Sequence, residues 1–268
     1  MPCRGEQSAS VSDLLLVDIG NTTTRLGRRR DRRLQVLSVA GTREASTLRE
    51  VAALAESVLG PPEAPAGELA LAMCSVVPAA GEVWLEWCAA RGVTPLTVRG
   101  DTPTPLTNQY RAPDLLGGDR IAAAVGAAQR LGTPVVVASL GTATVVDAVS
   151  AEGGFLGGAI AAGVETGLTA LAEHTRALPR VTAAEVSSPI GRDTTESLRV
   201  GAVCGTASLV AGLTEQMRGV IGAEAPLALT GGYAELIAGH LGLDCTVAPE
   251  LTLEGLAAIW DYNQGDAG

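Results

Sequence analysis

The chain contains no lysine, so all 19 of its basic residues are arginine. A Walker A phosphate loop, which sets a lysine on the β- and γ-phosphates, is therefore excluded, and so is Schiff-base chemistry on a lysine amine. Histidine is almost as scarce: His174 and His240 form no HExxH pair, which leaves a zinc site or a Ser-His-Asp triad poorly supported. The five cysteines (Cys3, Cys74, Cys88, Cys204 and Cys245) are odd in number and lack CxxC spacing. They read as reduced thiols of a reducing compartment, which makes the cytoplasm the expected location. No apolar run reaches the roughly 18 residues of a membrane span. Residues 1–12 lack the apolar stretch of a signal peptide and read as a disordered extension. No membrane partner is expected.

A basic face is also lacking. The net charge of −10 and a pI near 4.7 weigh against a nucleic-acid partner. One basic cluster exists, Arg28 to Arg33 interrupted only by Asp31. It reads as a solvated turn between two strands, or else as an anion contact near a phosphate loop.

What the chain has in abundance is small apolar residues. Hydrophobic residues make up 47%, aromatics only 3%, and 33 residues are glycine. Mean hydropathy is +0.27, enough for a large core with close backbone packing. Leu14 to Val17 is a continuous apolar run, as in a strand buried on both faces. It ends in Asp18-Ile19-Gly20-Asn21-Thr22-Thr23-Thr24, and Arg25-Leu26-Gly27 returns, as in a hairpin. Further strands are predicted at 34–39, 69–77, 93–98 and 227–230. Gly60 to Pro65 reads as a surface loop. Helices are predicted over 47–59, 82–91, 115–131, 165–177, 233–241 and 253–260. A long one over 194–217 is expected to break or kink near Gly201, Gly205 and Gly212.

The opening pattern then returns. Val135 to Ala138 leads into Ser139-Leu140-Gly141-Thr142-Ala143-Thr144. At a constant offset Asp18 aligns with Ser139, Gly20 with Gly141, Asn21 with Thr142 and Thr23 with Thr144. An internal repeat implies two similar α/β halves, placed at 13–116 and 117–268. With no linker between them, the site is expected in a cleft between the halves.

Paired Gly/Thr hairpins suit phosphate chemistry without lysine. Consecutive backbone N–H groups in a turn form an anion-binding concavity, and Asn21, Thr22 and Thr23 add side-chain donors. Asp18 at the strand end can hold Mg²⁺ through water while the ion bridges ATP phosphates. Gly117-Gly118-Asp119-Arg120 precedes a helix. Asp119 is either a cap or a general base for a substrate hydroxyl, beside an arginine suited to an anion. Thr230-Gly231-Gly232 reads as a βα turn or as a contact to adenosine or phosphate.

Together these segments resemble the type III pantothenate kinase family, of the actin-like ATPase superfamily. Asp18 to Thr22 is similar to its first phosphate motif, and Asn108 to Arg120 to its tyrosine, proline and GxDR segment. Ser139 to Asp147 with Gly157 to Ile160 resembles its second motif, and the order is kept over roughly residues 14–263. The resemblance implies two actin-like, ribonuclease H-like halves with mixed sheets flanked by helices. It implies ATP- and Mg²⁺-dependent phosphorylation of pantothenate, the first step of coenzyme A biosynthesis. Asp18, Ile19, Gly20, Asn21, Thr22, Thr23, Thr24, Arg25, Gly141, Thr142 and Gly231 would bind ATP, with Asp18 carrying the metal. Asp119 would be the base, and Asp18 and Arg120 would share in catalysis. Tyr110, Gly117, Gly118, Asp119, Arg120 and Thr194 would bind pantothenate, Thr194 across a homodimer interface. Where the family's second motif begins with an aspartate for a monovalent cation, K⁺ or NH₄⁺, this chain has Ser139. That departure leaves open a homologue that binds ligand without transferring phosphate. A kinase for another small hydroxylated metabolite is the further alternative.

Overall fold

A computed structural model describes residues 13–59 and 69–265. The extension read at residues 1–12 and the loop read at Gly60 to Pro65 lie outside the described residues. The chain divides into two compact units, residues 1–97 and 98–268.

The first unit carries β1 (Asp13–Ile19), β2 (Thr23–Arg30), β3 (Arg33–Gly41), α1 (Leu48–Leu59), β4 (Leu69–Ser75), α2 (Pro78–Ala89) and β5 (Leu96–Thr97). The sheet order is β3-β2-β1-β4-β5, with β1, β2 and β3 antiparallel and β4 and β5 parallel to β1. Alternate residues of β1 (Leu15, Val17 and Ile19) join Trp84 and Trp87 of α2 and Val51 of α1 in one core. Asp18 therefore faces the opposite side of the sheet. The helix starts are written in the sequence. Thr47 and Glu50 form a reciprocal cap, with Thr47 N donating to Glu50 Oε2 at 3.0 Å and Glu50 N to Thr47 Oγ1 at 3.3 Å. Pro78 opens α2 at a position where its missing N–H costs nothing.

The second unit carries β6 (Thr107–Asn108), α3 (Gly118–Leu131), β7 (Val135–Leu140), β8 (Ala143–Val149), β9 (Gly154–Ala162), α4 (Val164–His174), α5 (Thr194–Ile221), β10 (Leu227–Thr230), α6 (Ala234–Ala238), β11 (Thr246–Val247) and α7 (Leu251–Gln264). Its order is β11-β10-β7-β8-β9-β6. Without β6 this is the first unit's sheet again, strand for strand. The inferred repeat is thus a repeat of topology. β6 pairs with β9, which is why the division falls at 97/98 rather than at the 116/117 boundary expected from the sequence.

One face of this sheet, with Val136, Ala138, Leu140, Val146 and Ala148, is covered by Val203, Ala207 and Val210 of α5. The opposite face meets α3, backed by α7. At that helix crossing a Cβ on Gly255 would run into the Ala122 carbonyl, and one on Gly126 into the Leu251 carbonyl. Only glycine permits so close an approach.

The expected break in the long helix is absent: α5 runs unbroken for 28 residues. A Cβ at Gly201, Gly205 or Gly212 would meet nothing within 4 Å, so these glycines lie on open surface and leave the helix intact. By length and composition α5 could cross a membrane, contrary to the expectation of no such run. Its buried residues Leu198, Val203, Ala207, Val210, Thr214 and Ile221 recur at helical spacing, which makes it the covering helix of a sheet.

Candidate active site

The first turn is shaped by backbone and clamped by a threonine. Gly20 N donates to Thr23 O at 2.9 Å, and Thr42 donates twice, from Oγ1 to Gly20 O at 2.6 Å and from N to Thr22 O at 2.9 Å. The side chains of Asn21, Thr22 and Thr23 stand exposed while Thr24 is fully buried, its hydroxyl 3.2 Å from that of Thr42. Asp18, half-buried, pairs across the sheet with Arg25 and Cys74, and the Cys74 thiol donates to Asp18 Oδ1 at 3.4 Å. The sequence reading named no role for Thr42 or Cys74.

The second turn is tighter. Leu140 pairs with Thr144, and Gly141 N donates to Ala143 O at 3.0 Å. In the first turn the corresponding pairs are Ile19 with Thr24 and Gly20 with Thr23. The counterpart of Thr144 is therefore Thr24, not Thr23, because the second hairpin is one residue shorter. Both threonines are buried, at 0% and 1% exposure, as the same structural position requires. The Thr142 carbonyl accepts Gly163 N at 3.0 Å and Thr166 Oγ1 at 2.6 Å, leaving the Thr142 side chain exposed. Gly231, at φ +98°, backs onto Leu140, where a Cβ would strike that residue's carbonyl. Gly141, Thr142 and Gly231 thus converge at the end of β7. Ser139 sits there half-buried, paired with Val145 and Thr230.

At the start of α3, burial pushes the Asp119 carboxyl above its ordinary value, although backbone N–H groups at the helix start and the charge of Arg120 pull it back. Arg120, 9% exposed, makes a two-point bond to Asp147 on β8, Nε to Oδ2 at 3.1 Å and Nη2 to Oδ1 at 2.5 Å. Burial works against the charge of Arg120, and the Asp147 carboxylate together with the Tyr110 phenol more than offsets it, so the guanidinium is held above its usual value. Burial also raises Asp147, against the pull of Arg120 and with the added charge of Asp119.

Aromatic rings complete this cluster. The guanidinium carbon lies 5.4 Å from the centroid of the Tyr110 ring and 5.9 Å from that of Phe155. Asn108 sets Tyr110 in place, donating from Nδ2 to Gly100 O at 2.6 Å and accepting Tyr110 N at 2.9 Å. A bulge between Ala148 and Val149 leaves Leu156 unpaired and puts Gly157 at φ +95°, directly beneath Tyr110. A Cβ there would come within 2.8 Å of the ring.

Tyr110, Gly117, Gly118, Asp119 and Arg120 are thus brought together. Thr194 is not among them. It stands exposed at the first turn of α5, behind the cap that Asp193 forms on Glu196 N at 2.8 Å, and no hydrogen bond ties it to that cluster among the described residues. Asp147 and Phe155, to which the sequence reading gave no role, both contact Arg120. The signal for Asp147 was a lone carboxylate inside an otherwise apolar strand.

The sequence pattern of the family described as type III pantothenate kinase matches residues 14–216. This chain belongs to that family. A type III pantothenate kinase of Roseiflexus sp. (strain RS-1) is 36% identical over 253 residues, covering 94% of this chain and 99% of the relative. Among solved structures, a Baf family protein of Campylobacter jejuni aligns with a TM-score of 0.60 at 17% identity, over 94% of this chain and 99% of that one. An inorganic polyphosphate/ATP-glucomannokinase of Arthrobacter sp. strain KM aligns at 0.51 and 17%, over 94% and 99%. At such identities the likeness is one of fold, and it matches the actin-like sheet order found in both units.

Asp18 fits a divalent ion. Its carboxylate stands half-buried at a strand end beside a turn of exposed oxygen and amide donors, and Mg²⁺ is held by one or two carboxylates, waters and phosphates rather than by a protein cage. No cluster of three or more His, Cys, Asp or Glu residues suited to a metal occurs among the described residues. Ser139 fits a monovalent cation poorly, since it offers one neutral hydroxyl where charge is called for.

Proposed function

We propose that this chain transfers the terminal phosphoryl group of ATP to the hydroxyl of pantothenate, yielding 4′-phosphopantothenate, the first step of coenzyme A biosynthesis. Beside membership of the family, the observation that carries this reading is the Asp119–Arg120 pair at the start of α3. One carboxyl is raised by burial toward the working pH of a base, next to a guanidinium fixed by Asp147. Asp119 accepts the hydroxyl proton as the new P–O bond forms and the bond to the ADP oxygen breaks. Arg120 offsets negative charge at the substrate, and Tyr110, Gly117 and Gly118 shape its seat. The 18–25 and 141–142 turns, with Gly231, hold the phosphates of ATP. Asp18 would hold Mg²⁺, which would supply charge neutralisation on those phosphates.

A homodimer is part of the reading. An open, mostly apolar groove of about 600 Å³ runs along α4 and α5, lined by Leu171, Leu198, Gly205 and Leu209 among others. Leu171 and Leu209 are exposed, as is Ile160 on β9. A second copy would cover this face and would carry Thr194 at its edge. Free thiols at Cys74, Cys88, Cys204 and Cys245 support a cytoplasmic location.

Ser139 favours one second reading, a homologue with impaired catalysis. A coupled ADP-release assay with pantothenate, ATP and Mg²⁺, with and without K⁺ or NH₄⁺, decides between them. Pantothenate-dependent ADP release supports the kinase, while a folded protein that binds ligand yet releases no ADP under any cation supports the second reading.

A further inference from the structure

Two carboxylates and one guanidinium share the space beneath Tyr110, and the reaction above uses only Asp119 and Arg120. Asp147 touches no substrate in that reading. It is 3% exposed, and its cost in burial is met through Arg120 alone among the contacts described. Its place is also held from behind. Asp147 pairs with Gly158 on β9, where a Cβ would come within 2.6 Å of Asp147 Oδ1.

A guanidinium is a planar fork with two edges that can bind a carboxylate. Asp147 occupies the Nε–Nη2 edge of Arg120. The other carboxylate of the cluster is Asp119, the adjacent residue on α3, and its charge acts on Asp147 while that of Arg120 acts on it. Without Asp147, an arginine this buried would turn to Asp119. A carboxylate bound by a guanidinium has its lone pairs occupied and is a weaker base.

We propose that Asp147 is a positioning residue that holds the Nε–Nη2 edge of Arg120 against β8 and so keeps the guanidinium off Asp119, leaving that carboxylate open to the substrate hydroxyl. The proposal rests on the kinase reading for its consequence in turnover but not for its geometry. The titratable groups that meet here are Asp119 and Arg120 on α3, Asp147 on β8 and Tyr110 ahead of α3. From α7, Glu254 is engaged by Arg130 at the far end of α3, at 2.9 Å.

The test is a cycle of four full-length proteins: the native chain, Asp147→Asn, Arg120→Met and the double variant. The carboxyl ¹³C signal of Asp119, assigned by its loss in Asp119→Asn, is titrated in each. Asp147→Asn is expected to lower the Asp119 midpoint clearly further in the native background than in the Arg120→Met background, where only the lost charge of Asp147 acts on it. An equal fall in both backgrounds would mean plain charge removal and would overturn the proposal, as would no fall at all. In the ADP-release assay Asp147→Asn should lower kcat about 100-fold, the scale of a misplaced reacting group, with KM for ATP within twofold. The acid limb of kcat/KM should move to lower pH, which a merely structural defect would not produce. Asp147→Glu, which keeps the charge, should recover part of the rate. If Asp147→Asn does not fold, Arg120→Lys reads the same point. Its ammonium cannot make the two-point bond, so the Asp119 midpoint should fall, and a midpoint at or above the native value overturns the proposal. A native chain that releases no ADP with pantothenate refutes the kinase reading alone, since the titration still decides the geometry.

Discussion

Replacing Asp119 by Asn should stabilise the protein while stopping its chemistry. Burial opposes ionisation of this carboxyl, so its value in the folded chain lies above the ordinary 3.8. The sign follows from linkage. Between the unfolded and folded values the native state binds the extra proton, so Asp119 withdraws stability as pH rises through that window, and the deficit is complete above it. Asn carries no charge and no such deficit. The substitution has an opposing cost, because a carboxylate at a helix start gains roughly 0.3–1 kcal/mol from the helix dipole and accepts backbone N–H groups. Burial is the largest of these effects and sets the direction. Asp119→Asn should thus melt at the native temperature or below it at pH 3 and above it at pH 8. Loss of a general base costs typically 10²–10⁴ in rate, about 3–5 kcal/mol of transition-state stabilisation. The assays are thermal melts across pH and ADP release with pantothenate. A variant less stable than the native chain at pH 8, or one with native kinetics, would refute the reasoning.

Four further outcomes are expected. Gly255→Ala drives a methyl into the Ala122 carbonyl and should cost about 1–3 kcal/mol in a urea melt, by forcing α3 and α7 apart. Asp13→Ala strips Arg28 of bonds at 2.7 and 2.6 Å and should cost about 3 kcal/mol, since an arginine only 21% exposed loses its carboxylate partner and keeps only the Leu59 carbonyl among the bonds described. Because Arg28 holds Asp13 below 3.8, that stability is present above this value and is lost as pH falls through the folded one, so the native and Ala melting curves should approach each other in acid. Leu209→Glu puts a charge on the exposed apolar face of α5 and should convert the proposed dimer to monomer by light scattering. Ser139→Asp should raise the rate in K⁺ if a cation site has been lost, and leave it unchanged if another group has replaced it.

Much of the architecture was legible because it is set by local chemistry. The apolar run Leu14 to Val17, the capping pair Thr47 and Glu50, and the Gly-Gly-Asp-Arg start of α3 each state their own structure within a few residues. What could not be read depends on distant partners. Asp147 meets Arg120 only when β8 lies under α3, and Phe155 meets it only when β9 pairs beside β8. The unit boundary moved for the same reason, since β6 is too short to announce a strand and exists through its pairing with β9. The glycines of α5 misled in the other direction. Glycine lowers helix propensity, but Val203, Ala207 and Val210 bury a continuous stripe that outweighs it.

The two turns show how a repeat can be kept in form and divided in role. Both stand at the end of the central strand of a β3-β2-β1-β4-β5 pattern, and each is held by a threonine hydroxyl donating to a turn carbonyl at 2.6 Å. The threonines come from the same part of the repeat, the segment that follows its third strand: Thr42 directly after β3 and Thr166 in α4, which follows β9. Charge is where the halves part. The strand before the first turn ends in a carboxylate at Asp18, and the matching position before the second is the neutral Ser139. A divalent ion needs a formal negative charge to compete with its own hydration, and only the first turn has one at that position. On the proposed kinase reading this asymmetry favours Asp18 over Ser139 as the residue that would hold the metal, while the second turn would meet phosphate without any side-chain charge.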